Sequence, residues 1–162
     1  MKTRELTRMA LLCAIALTIF MVEAQLPALT PVPGIKLGLS NIVTVYAVFV
    51  LGPKQAAAIL ACRVFLGAVF SGQMSTILYS GAGGALALAV TVLVRRVLTK
   101  KQIWIAGVLG AIAHSVGQMV VAVWVSGTPG LAAYLPVMIL AGLVSGTFTG
   151  LCAQFLVERL KL

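Results

Sequence analysis

The chain has 162 residues, of which 61% are hydrophobic and 9% are charged, and its formal net charge is +9. Soluble domains average about 45–50% apolar and about 25% charged residues, so this composition excludes a water-soluble globule and predicts an integral membrane protein. At about 20 residues per crossing, the length allows a single membrane domain, residues 1–162, with about six transmembrane helices.

The acidic residues are few, which limits the chemistry the chain can perform. Glu5, Glu23 and Glu158 are its only carboxylates, and it has no aspartate. Paired-carboxylate hydrolysis, an Asp-bound magnesium ion and a Ser-His-Asp relay therefore lack their parts, so we expect no enzymatic activity, no metal site and no resident cofactor. The basic residues flank apolar runs instead of alternating with aromatics, so we expect no nucleic acid partner.

Six apolar runs predict the helices of the bundle. They cover residues 6–23, 37–51, 55–70, 76–94, 103–125 and 132–157. A cleaved signal peptide is an alternative for the first run, because small residues surround Glu23 at its end. Its removal would leave an odd helix count with conflicting charge signals, so we keep it as a helix.

Residues 24–38 form the longest irregular stretch, AQLPALTPVPGIKLG. Its three prolines prevent a continuous helix, and it is too apolar for an ordinary solvated loop. The stretch is predicted to pack over, or dip into, a cavity at membrane depth. The following run is short for a crossing and is expected to borrow helical length from residues 35–38.

The distribution of basic residues predicts the orientation of the chain in the cell membrane. Six crossings place ten of the twelve Lys and Arg residues on one side, with Lys36 on the other and Arg63 inside the membrane. The ten are Lys2, Arg4, Arg8, Lys54, Arg95, Arg96, Lys100, Lys101, Arg159 and Lys161. The positive-inside rule then makes this a multi-pass protein with both termini in the cytoplasm.

Arg63 is the most unusual residue of the predicted membrane region. It lies nine residues beyond Lys54, which is about 13 Å along a helix and close to the bilayer midplane. An arginine there costs at least about 2.5–3.5 kcal/mol on insertion scales. A buried pair with Glu23, or snorkelling, would explain it structurally, and binding of an anionic ligand would explain it functionally.

His114 and Gln118 form a second polar group in the middle of the fifth run, midway between Trp104 and Trp124. Their four-residue spacing places both on one helix face. A polar contact between helices is one interpretation, and a pocket at the bilayer centre is the other.

Small residues recur at four-residue spacing in the first and last runs. Ala10 and Ala14 belong to the first run, and Gly142, Gly146 and Gly150 to the last. Such residues allow close helix approach in lipid. We expect packing within the subunit for the glycines and contact with an outside partner for the alanines.

Several of these residues together carry a family resemblance. The stretch PGIKLGLSN at residues 33–41, LGPK at residues 51–54, Arg63, and His114 with Gln118 resemble the Gx transporter family, whose members are often labelled heptaprenyl diphosphate synthase component I. That family is similar to the substrate-binding S components of energy-coupling factor (ECF) transporters. The resemblance implies an all-α, six-helix bundle that captures a vitamin from outside.

The resemblance also implies partners and a site. An S component docks onto a transmembrane coupling subunit and two ATPase subunits, here through Ala10 and Ala14, and its first external loop closes over the ligand. The candidate ligand-binding residues are Lys36, Asn41, Arg63, His114 and Gln118, and the candidate ligand is a flavin.

The alternative is a membrane accessory subunit in prenyl diphosphate metabolism. Prenyl diphosphate synthases hold magnesium with Asp-rich motifs, which this chain lacks, so that role would be non-catalytic.

Overall fold

A computed structural model describes residues 3–26 and 36–159. These ranges form six α-helices and no strand. The helices are α1 (Thr3–Glu23), α2 (Asn41–Val50), α3 (Pro53–Ser71), α4 (Ser75–Val94), α5 (Ile103–Ser126) and α6 (Leu135–Arg159). Short 3-10 turns at Lys100–Gln102 and Pro129–Tyr134 lead into α5 and α6. The predicted all-α fold is therefore confirmed.

Helices α1, α3, α4, α5 and the segment Pro129–Arg159 are long and apolar enough to cross a membrane. Glycines end or separate several of them. Gly52 has φ +108° and precedes Pro53 at the start of α3, while Gly72 and Gly127 end α3 and α5 in the left-handed conformation. Glycine is favoured just after the last turn of a helix and proline in its first turn, so these residues fit the helix ends that they mark.

Helix α2 is shorter than the sequence predicts. We expected a helix over residues 37–51, but residues 36–38 are not helical and α2 begins only at Asn41. Gly38 has φ +79°, which is incompatible with an α-helix. With 10 residues, α2 is about 15 Å long, half of the hydrocarbon thickness.

Helix α5 lies at the centre of the C-terminal half and packs along both α4 and α6. Glycines bring the backbones together. A Cβ on Gly107 would collide with the backbone of Gly150, and one on Gly146 would lie 2.7 Å from Ala111 Cβ. On the α4 side, a Cβ on Gly117 would lie 2.9 Å from Ala82 O. The expectation that the α6 glycines pack within the subunit is confirmed.

Helix α1 is the most peripheral of the spanning helices, with 17% of its apolar window buried against 50% for α5. Cys13, Ala16 and Phe20 face the bundle. Ala10 and Ala14 are exposed. Packing within the subunit therefore leaves both alanines exposed.

Candidate functional site

The predicted ligand-binding residues converge on the non-helical segment that leads into α2. Lys36 belongs to this segment and Asn41 is the first residue of α2. Arg63 approaches from α3, and His114 and Gln118 from α5; Asn41, Arg63, His114 and Gln118 are all buried. We call Lys36, Leu37 and Gly38 the inner segment, because side chains of three helices hold its backbone inside the bundle.

Gln118 holds the inner segment from α5. With its amide oriented to satisfy its partners, Nε2 donates to the Lys36 carbonyl at 2.9 Å, and Oε1 accepts from the Lys36 N–H at 3.2 Å. The same Oε1 accepts from His114 Nε2 at 3.3 Å. His114 and Gln118 therefore form one polar unit, and Gln118 supplies hydrogen bonds that an irregular backbone at membrane depth cannot obtain from lipid.

Two further residues hold the inner segment, and the sequence did not identify them as part of the site. Glu23, at the end of α1, accepts a hydrogen bond from the Gly38 N–H, and Ser145 on α6 donates to the Leu37 carbonyl at 3.4 Å. The sequence suggests Glu23 only as a partner for Arg63, although an ionisable residue in a membrane segment is itself a signal of function. Nothing in the sequence distinguishes Ser145 from other small residues of α6.

Arg63 is buried with only 2% of its surface exposed, so it does not snorkel to water. Its Nη1 donates to Ser40 Oγ at 2.6 Å, and its guanidinium lies 5.8 Å from the centre of the Phe20 ring. Glu23 is close enough to attract it electrostatically. Nε and Nη2 have no hydrogen-bond partner. Two nitrogens of the charged guanidinium, with three N–H donors between them, therefore remain unused in the core.

Asn41 is the second residue with unused hydrogen-bonding capacity. It is 4% exposed, and neither its amide oxygen nor its amide nitrogen has a partner. The amide lies against Gly38, where a Cβ would be 2.9 Å from Asn41 Nδ2 and 2.9 Å from His114 Cδ2. Only glycine fits at residue 38, because a Cβ there would collide with the side chains of Asn41 and His114, and because its φ is positive.

Lys36 places a second cation beside Arg63. Its Nζ lies 3.6 Å from the centre of the Phe20 ring, which also packs against Gly67 of α3. The charge of Arg63 repels Lys36, whereas the carboxylate of Glu23 attracts it. Two cations and one carboxylate then leave a surplus of positive charge around the Phe20 ring.

The arrangement favours a ligand with both an anionic and a neutral polar part. An arginine fork suits a carboxylate or phosphate, while amides and imidazole suit carbonyls and ring nitrogens. Within residues 3–26 and 36–159, no group of His, Cys, Asp and Glu could hold a metal ion.

Six apolar helices around this polar cluster define a multi-pass membrane protein. The chain belongs to the heptaprenyl diphosphate synthase component I family, whose sequence model matches residues 12–156. Neither the curated proteins nor the solved structures contain a significant match to it.

Proposed function

We propose that this protein is the membrane-embedded substrate-binding subunit of an ECF-type transporter for a vitamin-like small molecule. The observation that carries the proposal is the unused hydrogen-bonding capacity of Arg63 and Asn41 beside the inner segment. Each unsatisfied buried polar group costs about 1–3 kcal/mol, and more when it is charged. A bound anion with polar ring atoms would recover that cost.

The outward face of α1 supports a docking role in the same transporter. Ala10 and Ala14 are exposed one turn apart on the least buried spanning helix. Small side chains let a partner helix approach closely in lipid. We propose this face as the contact with the coupling subunit, and we propose that the ATPase subunits of the same assembly provide the energy.

The proposal assigns binding, not catalysis, to the buried cluster. Glu23 is the carboxylate of the cluster, and it is hydrogen-bonded to the Gly38 backbone. We propose that it holds the inner segment in place and balances part of the positive charge. A flavin is our candidate ligand because it combines polar ring edges with a polar side chain.

The family description and one groove support a second candidate, an accessory membrane subunit for prenyl diphosphate metabolism. An apolar groove of about 300 Å³ runs between α1, α2 and α6, with Leu11, Ile15, Tyr46 and Leu156 in its lining. Arg8 lines the same groove. An isoprenoid chain with a diphosphate head group is complementary to such a surface, since it is apolar along its length and anionic at one end.

Identification of the co-purifying small molecule distinguishes the two candidates. The chain would be expressed with a candidate coupling subunit, purified in detergent and denatured, and the released molecules identified by mass spectrometry. A vitamin-like ligand together with a retained coupling subunit supports the transporter. A prenyl diphosphate without the coupling subunit would overturn it in favour of the accessory role.

A further inference from the structure

Gln118 binds the backbone of Lys36 in the way that a neighbouring strand would. Its amide donates to the carbonyl and accepts from the N–H of the same residue. These two backbone groups lie side by side and point in the same direction. A cyclic amide, imide or ureide presents the same pair of groups, with one donor next to one acceptor.

The backbone of the inner segment forms hydrogen bonds with only some of the polar side chains around it. Gln118 is paired, but both amide atoms of Asn41 remain without partners, as do Nε and Nη2 of Arg63. Asn41 and Gln118 contact different ends of the inner segment, since Asn41 lies against Gly38 and Gln118 bonds to the Lys36 backbone. The backbone is therefore an incomplete match for the polar groups that surround it.

We propose that Gln118 recognises a cyclic amide, imide or ureide edge of the ligand, and that the Lys36 backbone occupies this place until the ligand displaces it. This inference rests on the proposed function, because it names the substrate class of the same site. Displacement frees Gln118 to pair with the edge of the ligand. The unused groups of Asn41 and Arg63 then bind the remaining polar and anionic parts.

A matched pair of probes tests the recognition without altering the protein. Lumiflavin carries an imide edge, and 3-methyllumiflavin differs by one methyl group that removes the imide donor. Both would be titrated by fluorescence against the purified full-length chain in detergent. We expect the methylated probe to bind at least about tenfold more weakly, because it loses the hydrogen bond to the Gln118 oxygen and places a methyl group against it. Biotin and its N1′,N3′-dimethyl derivative form a second pair, because the two methyl groups remove both donors of the ureide.

Substitution of Gln118 then assigns the discrimination to this residue. In Gln118→Met, the affinities of lumiflavin and 3-methyllumiflavin should agree to within about twofold, since neither hydrogen bond remains. Ser145→Ala is the control, because it removes a bond to Leu37 in the same segment and leaves the Gln118 amide intact. The control should keep the full discrimination.

The outcomes separate this inference from the proposed function. Equal binding of each methylated and unmethylated pair by the unaltered chain overturns the inference, and so does failure of both lumiflavin and biotin to bind. Binding of pyridoxine, which has no cyclic amide edge, with no binding of lumiflavin or biotin overturns the inference and leaves the transporter proposal standing. If Gln118→Met fails to fold, the probe pairs measured on the unaltered chain still decide whether the inference holds.

Discussion

Arg63 on α3 donates from Nη1 to Ser40 Oγ at 2.6 Å, which joins the third helix to the turn that precedes α2. Ser40 is the N-cap residue of α2, and both partners are almost completely buried. The bond anchors the guanidinium at the residue that precedes Asn41 and leaves two of its nitrogens unpaired. The hydrogen bond thereby restricts the conformations of a long, flexible side chain.

Replacement of Arg63 tests whether this charge binds a ligand. Arg63→Gln should weaken binding of flavin mononucleotide, which carries a phosphate, about 10- to 100-fold, because charge-assisted hydrogen bonds contribute about 1.5–3 kcal/mol. Arg63→Lys should recover only part of that loss, since lysine keeps the charge and loses the fork. Ser40→Ala is the matched control, because it removes the Ser40 bond but keeps the guanidinium. Unchanged affinity in a destabilised Arg63→Gln protein would make Arg63 a structural residue.

Alanine substitutions of Gly38 and Gly127 form a matched pair that tests how the inner segment packs. Both have positive φ, but a Cβ on Gly127 meets nothing within 4 Å, whereas one on Gly38 meets Asn41 and His114. Gly127→Ala should therefore cost only the backbone strain of about 1–2 kcal/mol. Gly38→Ala should lower the thermal unfolding temperature in detergent by clearly more. Equal shifts in the two variants would show that the inner segment does not pack against Asn41 and His114.

The outer face of α1 is tested by enlarging its small residues. Ala10→Leu with Ala14→Leu should reduce co-purification of the coupling subunit, because the bulkier side chains prevent close helix approach. Ligand binding by the isolated chain should be retained. The control is Ala57→Leu with Ala61→Leu, which alters an exposed pair at the same spacing on α3. Equal losses from both pairs would argue against a specific docking face on α1.

Cysteine cross-linking tests the packing of α1 against α3. The thiols of Cys13 on α1 and Cys62 on α3 are both free and close enough to form a hydrogen bond. Mild oxidation in membranes should therefore join Cys13 to Cys62 and leave Cys152 reactive toward maleimide. Peptide mass spectrometry identifies the linked pair, and Cys13→Ser is the control. Oxidation that leaves all three thiols free would contradict the α1–α3 contact.

Reporter fusions test the orientation in the membrane. Fusions after Arg96 and at Leu162 should read as cytoplasmic, and a fusion after Gly127 as external, because the basic residues concentrate on one side. An external signal at Leu162 would change the number of crossings, most directly by removal of the first run as a signal peptide.

The sequence predicts which residue types meet in the core better than it predicts the backbone that joins them. Arg63, His114 and Gln118 are identifiable because polar groups are costly in a membrane helix. The non-helical conformation of Lys36 cannot be identified from the sequence, because it depends on hydrogen bonds to Gln118, which lies 82 residues away in the chain. Local pattern favours continuing the helix back to residue 37, and only the tertiary hydrogen bonds make the irregular backbone stable there.

The backbone contact between Gly107 and Gly150 is one of several that pack the C-terminal helices more tightly than the N-terminal ones. The site therefore has two parts that differ in packing. Helices α4, α5 and α6 are joined by glycine contacts that allow little sliding, so His114, Gln118 and Ser145 form a fixed, uncharged wall. The charged groups, Glu23, Lys36 and Arg63, all belong to the N-terminal half, which packs less extensively. A change that widens the site would therefore displace the charged groups of the N-terminal half relative to a neutral surface that keeps its place.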